Sequence, residues 1–125
     1  MLDYLVLIVA DLDRALAFYT GTLGLELQHR AEQYAQMKAG TTRLSLFTRA
    51  AMAETLGMAI DAPSPRAPAF EIGFKVDDCD AAFAELVNAG AAAVVVPTTR
   101  AWRQRTAYVR DPDGNLIELA QDLGR

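Results

Sequence analysis

The sequence predicts an α+β fold made of two β-α-β-β-β modules. One observation is that a strand-like apolar run followed by an amphipathic helix occurs twice in the chain. The other is that the second copy matches the first at an offset of 67 residues. At this offset the identical residues are Val9, Asp11, Asp13, Ala15 and Ala17 in the first copy and Val76, Asp78, Asp80, Ala82 and Ala84 in the second. Self-similarity at a fixed offset indicates duplication of one structural unit.

The length and composition are those of one globular domain. The chain has 125 residues, of which 52% are hydrophobic and 22% charged. These values exclude a disordered chain, a collagen-like chain and a disulfide scaffold. The net charge of −4 argues against a general nucleic-acid partner, because such binding needs a basic surface. The single cysteine, Cys79, cannot form an intramolecular disulfide, which fits a reducing compartment.

The first module begins with a strand from Tyr4 to Val9, which is apolar on both faces. Asp11 is the expected N-cap of the helix that follows, and Gly21 or Gly24 is expected to end that helix. Its apolar stripe has helical spacing and consists of Leu12, Ala15, Leu16 and Tyr19. The three remaining strands are predicted at Leu25–Arg30, Tyr34–Lys38 and Arg43–Thr48.

The second module repeats this order from a strand at Phe70–Val76. Asp78 takes the N-cap place, and Asn88 and Gly90 end the helix. The remaining strands are predicted at Ala92–Val96, Gln104–Arg110 and Asn115–Gln121. Between the last two, the segment Asp111-Pro112-Asp113-Gly114 predicts a tight turn, because proline fixes φ and glycine permits positive φ.

A proline-rich segment separates the modules. We place module one at 1–57, the linker at 58–68 and module two at 69–125, with a short helix at Ala50–Leu56 before the linker. The N-terminal apolar run, Tyr4–Ala10, is too short for a membrane span and lacks the basic region of a signal peptide. We therefore expect a soluble, cytoplasmic protein with no membrane partner.

The order of elements and two motifs resemble a known family. "DLDRALAFYTGTLGLEL" near the start and "AYVRDPDGNLIEL" near the end are similar to the vicinal-oxygen-chelate superfamily. That group includes glyoxalases, extradiol dioxygenases, fosfomycin-resistance enzymes and bleomycin-resistance proteins. The resemblance implies a cup-shaped mixed sheet with the helices outside, a small-molecule ligand and a homodimer. It leaves function open, because the group holds both metalloenzymes and binding proteins.

The resemblance also implies where metal ligands would lie. They are expected on the first and last strand of each module, at Tyr4 and Ser45 in one and at Glu71 and Glu118 in the other. A usual set mixes histidine and glutamate. Only the two glutamates are suitable ligands here, and the single histidine, His29, falls on a different strand. We therefore expect no functional metal centre and no cofactor.

Strand alternation predicts that Ser45, Phe47 and Glu118 point away from the helices. Two roles stay open for the carboxylates of Glu71 and Glu118. They contact a ligand, or Lys75 or Arg110 neutralises them in a structural ion pair.

The segment Arg100-Ala101-Trp102-Arg103-Gln104-Arg105 has the most unusual composition in the chain. Arginines beside an aromatic ring favour an anionic ligand or single-stranded nucleic acid, and the alternative is an exposed loop before a strand. Trp102 is a candidate ligand platform, and Tyr108 is expected to point the same way. Cys79 is predicted to be an inert thiol, because aspartates surround it.

These observations favour a metal-independent small-molecule-binding protein. The candidate ligand-binding residues are Tyr4, Ser45, Phe47, Glu71, Trp102, Tyr108 and Glu118. The alternative is a divalent-metal-dependent lyase or dioxygenase of the same superfamily that uses Glu71 and Glu118. A third interpretation is a cup filled by side chains, with a protein partner. The sequence leaves open whether any reaction is catalysed, which ligand binds, and whether the role is antibiotic resistance or metabolism.

Overall fold

Eight strands form two four-stranded mixed sheets in the computed structural model, which describes residues 2–64 and 66–124. The chain divides into two compact units, and the division falls between Ala62 and Pro63. The segment predicted as a linker, 58–68, is therefore shared between the units. Its described residues belong to no helix or strand.

The first unit holds the sheet with strand order β1-β4-β3-β2. Its strands are β1 (Tyr4–Val9), β2 (Glu26–Arg30), β3 (Tyr34–Ala39) and β4 (Thr42–Thr48). Strand β1 is parallel to β4, and the other neighbours are antiparallel. The unit also contains α1 (Leu12–Leu16), a π-helical segment (Ala17–Thr22) and α2 (Arg49–Leu56).

The second unit repeats this topology, with strand order β5-β8-β7-β6. Its elements are β5 (Glu71–Lys75), α3 (Cys79–Asn88), β6 (Ala92–Arg100), β7 (Gln104–Arg110) and β8 (Leu116–Asp122). Strand β5 is parallel to β8, just as β1 is parallel to β4. The prediction of two β-α-β-β-β modules in an α+β fold is confirmed.

Aspartate side chains begin the first helix of each unit, as predicted. Asp11 Oδ1 accepts a hydrogen bond from the Arg14 backbone N–H at 2.9 Å, and Asp78 Oδ1 accepts one from Ala81 at 3.0 Å. Each bond satisfies a donor that the first helical turn would otherwise leave unpaired. Among the described residues, no helix combines the length and apolar character needed to cross a membrane.

Each sheet buries one face against its own helix. On this face of the second sheet the buried residues include Ala107, Val109, Ile117 and Leu119, and Cys79 and Leu86 of α3 are buried with them. The Cys79 thiol lies 3.6 Å from the Leu119 carbonyl oxygen, which places α3 on this face. In the first unit the corresponding buried residues include Leu7, Val9, Leu44 and Leu46. We call the opposite side of each sheet its far face.

The first helix differs from the prediction, because its α-helical part ends at Leu16 and a π-helical segment follows. The Thr20 hydroxyl donates to the Leu16 carbonyl at 2.6 Å and so competes for an acceptor of the α-helical pattern. The helix changes to the wider π-helical pattern, in which an N–H donates to the carbonyl five residues earlier. The Leu23 N–H donates to the Phe18 carbonyl in this way, at 2.8 Å.

Strand β6 is longer than predicted, since it continues through Pro97 to Arg100. It lies at the edge of its sheet, where a residue without an N–H is tolerated, and its pairing with β7 shifts register between Val95 and Thr98. The segment 100–105, for which an exposed loop was the alternative interpretation, therefore contains only a tight turn at 101–103.

The predicted turn between β7 and β8 is present, and the Asp111 side chain organises it. Its Oδ1 accepts from the backbone N–H groups of Asp113 at 2.9 Å and Asn115 at 2.8 Å, and its Oδ2 accepts from Asn115 Nδ2 at 2.8 Å. Gly114 completes the turn with a φ of 87°, a conformation that suits glycine.

Replacing Asp111 with alanine should destabilise the protein strongly. The substitution removes the acceptor of three N–H bonds at a residue that is only 5% exposed, so the expected loss in free energy of unfolding is about 2–3 kcal/mol. Chemical denaturation monitored by circular dichroism measures it. Asp77→Ala, which removes an exposed carboxylate, should change stability by less than about 0.5 kcal/mol. Equal effects of the two variants would contradict this role.

Candidate functional site

Two of the predicted site residues are in direct contact on the far face of the second sheet. Tyr108 on β7 and Glu118 on β8 are cross-strand partners, and the Tyr108 hydroxyl donates to Glu118 Oε2 at 2.8 Å. Both side chains are half-buried. Burial raises the pKa of the Tyr108 phenol above its usual value, and the hydrogen bond to Glu118 and the negative charges of Glu118 and Glu71 raise it further. The phenol is therefore a neutral hydrogen-bond donor at physiological pH.

Gly73 on β5 lies on the other side of Glu118. A Cβ atom at this position would stand 3.4 Å from Glu118 Oε1, so the glycine leaves room directly beside the carboxylate. Glu71 lies two residues earlier on the same strand and so shares the far face. We call Glu71, Tyr108 and Glu118 the carboxylate–tyrosine cluster. Sequence reasoning missed Gly73, although a glycine inside a strand pattern is a recognised signal of close approach.

The structure does not form the ion pair that the sequence left open as one of two roles for Glu71 and Glu118. Lys75 Nζ pairs with Asp122 Oδ1 at 2.5 Å, and Arg110 Nη1 donates to the Gly114 carbonyl at 2.8 Å. Within residues 2–64 and 66–124, neither glutamate takes part in an ion pair. The structure therefore leaves the charge of the carboxylate–tyrosine cluster without a basic partner among the described residues.

The first sheet carries a different set of groups at the equivalent positions. Tyr4 pairs with Arg43, two residues before Ser45, just as Glu71 pairs with Leu116, two residues before Glu118. Tyr4 is 53% exposed, whereas Ser45 is fully buried with its Oγ 2.9 Å from the Tyr34 hydroxyl. The duplicated fold therefore presents hydroxyl groups in one unit and carboxylates in the other.

The residues at these four positions do not fit a transition-metal centre. A phenol and a serine hydroxyl are not usual ligands for zinc, nickel or iron, and two carboxylates alone give a weak site for these metals. Across the described part of the chain, no group of three or more histidine, cysteine, aspartate and glutamate side chains is arranged to hold a metal ion. The donor chemistry therefore disagrees with the metal that the family resemblance implies.

A neutral hydrogen-bond network covers the far face of the first sheet, and sequence reasoning missed most of it. The Tyr34 hydroxyl donates to Gln36 Oε1 at 3.2 Å, and Gln36 Nε2 donates to Gln28 Oε1 at 3.1 Å. Phe47 is half-buried with its ring 6.3 Å from that of Tyr34. The exposed His29, on β2, is also 6.3 Å from the Tyr34 ring. The assignment of Tyr4, Ser45 and Phe47 to ligand binding stays a prediction.

Trp102 lies apart from the carboxylate–tyrosine cluster, in the turn between β6 and β7. It is 63% exposed, and its indole N–H donates to Gln104 Oε1 at 3.0 Å. Gln104 and Tyr108 share the far face of β7 but are four residues apart, or about 13 Å along an extended strand. The structure therefore does not bring Trp102 and Glu118 together within this sheet.

Arg105 and Cys79 belong to the helix side of the second sheet. Arg105 Nε and Nη2 donate to the two carboxylate oxygens of Asp80 at 2.6 and 2.9 Å, so the guanidinium fastens β7 to α3. The Cys79 side chain is fully buried, and burial, together with the nearby negative charges of Asp80 and Asp78, raises the pKa of its thiol. These contacts agree with the prediction of an inert cysteine.

Comparison with known sequences identifies the family. The family model of the glyoxalase/bleomycin resistance protein/dioxygenase superfamily matches residues 1–119. An uncharacterized protein, YraH of Bacillus subtilis (strain 168), is 34% identical over 121 residues, which cover 94% of this chain and 94% of that protein. Both matches extend over nearly the whole chain and include both modules.

Solved structures show the same fold. A glyoxalase/bleomycin resistance protein/dioxygenase from Nocardioides is similar over 98% of this chain and 83% of its own, with a TM-score of 0.83 and 25% identity. A family enzyme from Burkholderia phytofirmans PsJN is similar over 98% of both chains, with a TM-score of 0.87 and 21% identity. Together with the sequence matches, they show that this chain belongs to the glyoxalase/bleomycin resistance protein/dioxygenase superfamily.

Proposed function

We propose that this chain is a metal-independent small-molecule-binding protein whose carboxylate–tyrosine cluster anchors the ligand. The observation that carries the proposal is the hydrogen bond from the Tyr108 hydroxyl to Glu118 Oε2, at 2.8 Å, beside the room left by Gly73. The bond holds one carboxylate oxygen and leaves Oε1 available to a ligand. Small-molecule sites are typically built from a few polar groups fixed in this way.

The charge of the cluster indicates which ligands it favours. Glu71 and Glu118 form no ion pair with a basic side chain among the described residues. The phenol of Tyr108 donates a hydrogen bond to Glu118, but it is neutral and does not offset their charge. A partly buried carboxylate is stabilised by a cationic or hydrogen-bond-donating group. The preferred ligand is therefore a small molecule with an amine, guanidine or similar donor. The homodimer belongs to this proposal through the family resemblance, and the cytoplasmic location through the single cysteine and the short N-terminal apolar run.

Glu118→Gln should weaken binding of cationic ligands by about tenfold and of neutral ligands by much less, because a charge-assisted hydrogen bond becomes a neutral one. A ligand panel graded by charge, followed by thermal shift and calorimetry, measures this. Glu85→Gln is the matched control, since it makes the same change at an exposed position on α3. If none of the cationic ligands in the panel raised the melting temperature of the wild-type protein, the result would count against the proposal. It would favour the interpretation in which side chains fill the cup.

The Tyr108 phenol should titrate above the usual range for tyrosine and move back toward it in Glu118→Gln, because the substitution removes a nearby negative charge. Ultraviolet absorbance of tyrosinate measures the titration, and Tyr108→Phe identifies the signal. The folded state holds this proton more tightly than the unfolded state, so the stability it contributes is present below about pH 10 and is lost as the pH rises further. An unchanged Tyr108 titration in Glu118→Gln would show that the hydrogen bond does not form in solution.

Purified protein prepared without chelator should contain far less than one equivalent of iron, nickel, manganese or zinc per chain, because the donor set is poor in nitrogen ligands. Elemental analysis measures this content, and lactoylglutathione lyase activity should be absent. Nearly one metal per chain that is lost in Glu118→Gln would overturn the metal-independent proposal. That result would favour the divalent-metal-dependent lyase or dioxygenase instead.

A further inference from the structure

We propose that the turn joining β6 to β7 is a second binding site, specific for a small aromatic anion. The site consists of Arg100, Trp102 and Arg103, which we call the turn site. It lies at the opposite end of β7 from the carboxylate–tyrosine cluster and takes a ligand of opposite charge. It therefore goes beyond the proposed function and does not depend on it.

The indole of Trp102 is exposed but held in one orientation. Its N–H donates to Gln104 Oε1 at 3.0 Å, and Gln104 Nε2 donates to Asp122 Oδ1 at 3.0 Å. Lys75 Nζ contacts the same Asp122 oxygen at 2.5 Å. This chain of bonds connects three strands to a ring that is 63% exposed and contributes little to the core. A fixed, exposed aromatic ring is a stacking surface with little entropy to lose on binding.

The two arginines of the turn site keep donors for an anion. Arg100 Nε donates to the buried Thr106 hydroxyl at 2.9 Å, and its guanidinium carbon lies 5.9 Å from the centre of the Trp102 ring. Its terminal nitrogens, and the whole guanidinium of Arg103, have no hydrogen-bond or ion-pair partner among residues 2–64 and 66–124. Arg105, by contrast, is occupied by Asp80. Free guanidinium donors beside a ring suit a carboxylate or phosphate group.

The backbone of Arg103 adds an independent indication. Its φ of 63° makes it the one non-glycine residue with positive φ in the described chain. Hairpins with three-residue loops usually place glycine at such a position, because a side chain there is strained. A charged residue kept in a strained conformation is often functional. The strain thus agrees with a role for Arg103 in binding.

The local charge balance supports the same ligand class. The Lys75–Asp122 and Arg105–Asp80 pairs each cancel, so Arg100 and Arg103 leave the turn positive in a chain of net charge −4. The planar ring adds a preference for an aromatic group. Aromatic carboxylates and aromatic phosphates share this chemistry.

Benzoate and phenyl phosphate are the test probes, with benzamide as the neutral control of the same shape and inorganic phosphate as the control without a ring. Trp102 is the only tryptophan, so its fluorescence reports this site. We expect saturable quenching by at least one of the two aromatic anions, and at least tenfold weaker binding of benzamide and of inorganic phosphate. The stronger of benzoate and phenyl phosphate identifies the anionic group.

Arg100→Ala and Arg103→Ala should each weaken binding of that probe by about tenfold, because each removes charge-assisted hydrogen bonds. Arg66→Ala is the control. It removes the same charge from an exposed residue between α2 and β5 and should leave binding unchanged. Arg103→Gly should weaken binding while raising the midpoint of thermal unfolding, because glycine tolerates the positive φ. That combination separates a binding role from a structural one.

Three results would overturn the turn site. One is equal binding of benzamide and benzoate, which would remove the requirement for charge. Another is an equal loss of affinity in Arg66→Ala and Arg103→Ala, which would show general electrostatic attraction. The third is no quenching by either aromatic anion, with calorimetry also showing no heat of binding. Apart from these three results, tighter binding of a single-stranded oligothymidylate than of either probe would overturn the small-molecule assignment.

Discussion

The candidate site depends on one constraint. Side chains alternate between the two faces of a β-strand, and a helix covers one face of the sheet. In the second sheet, burial of Ile117 and Leu119 against α3 forces Glu118, which lies between them, onto the far face. A shift of one residue in this strand would bury the carboxylate under the helix, at a cost of several kcal/mol for an unpaired charge. The apolar core therefore fixes the position of the polar site.

The duplicated fold uses the same positions for two kinds of chemistry. The first sheet carries Ser45 in a network of neutral hydroxyl and amide groups, whereas the second carries Glu118 in contact with Tyr108. Both far faces have the same strand order and equivalent register, so the backbone does not account for the difference. At these equivalent positions the side chains alone place a neutral hydroxyl on one face and a carboxylate on the other. This is how members of one superfamily with one fold can differ in function.

Local features were predictable from the sequence, and the partners of charged side chains were not. The caps at Asp11 and Asp78 and the turn around Asp111 depend on residues within four positions of each other, so their pattern is visible in the chain. The partners of Lys75 and Arg105 lie 47 and 25 residues away, and they depend on strand order and register. Several acidic residues compete for each base in an acidic chain, so composition alone could not identify Asp122 as the partner of Lys75. The extension of β6 past Pro97 could not be predicted either, because it also depends on strand order. Proline is tolerated there because β6 lies at the edge of the sheet.

The same alternation separates the arginines near the turn into two roles. Arg105 lies on the helix side of β7 and forms an ion pair with Asp80. Gln104, Thr106 and Tyr108 lie on the far face. Thr106 holds Arg100, Gln104 holds Trp102, and Tyr108 holds Glu118. Three alternate residues of this one strand thus orient a guanidinium and an indole near one end and a carboxylate toward the other. Each of the three orients its group through a hydrogen bond, and β7 lies in the interior of the sheet. Strand β7 is therefore the element on which both sites proposed for the second unit depend.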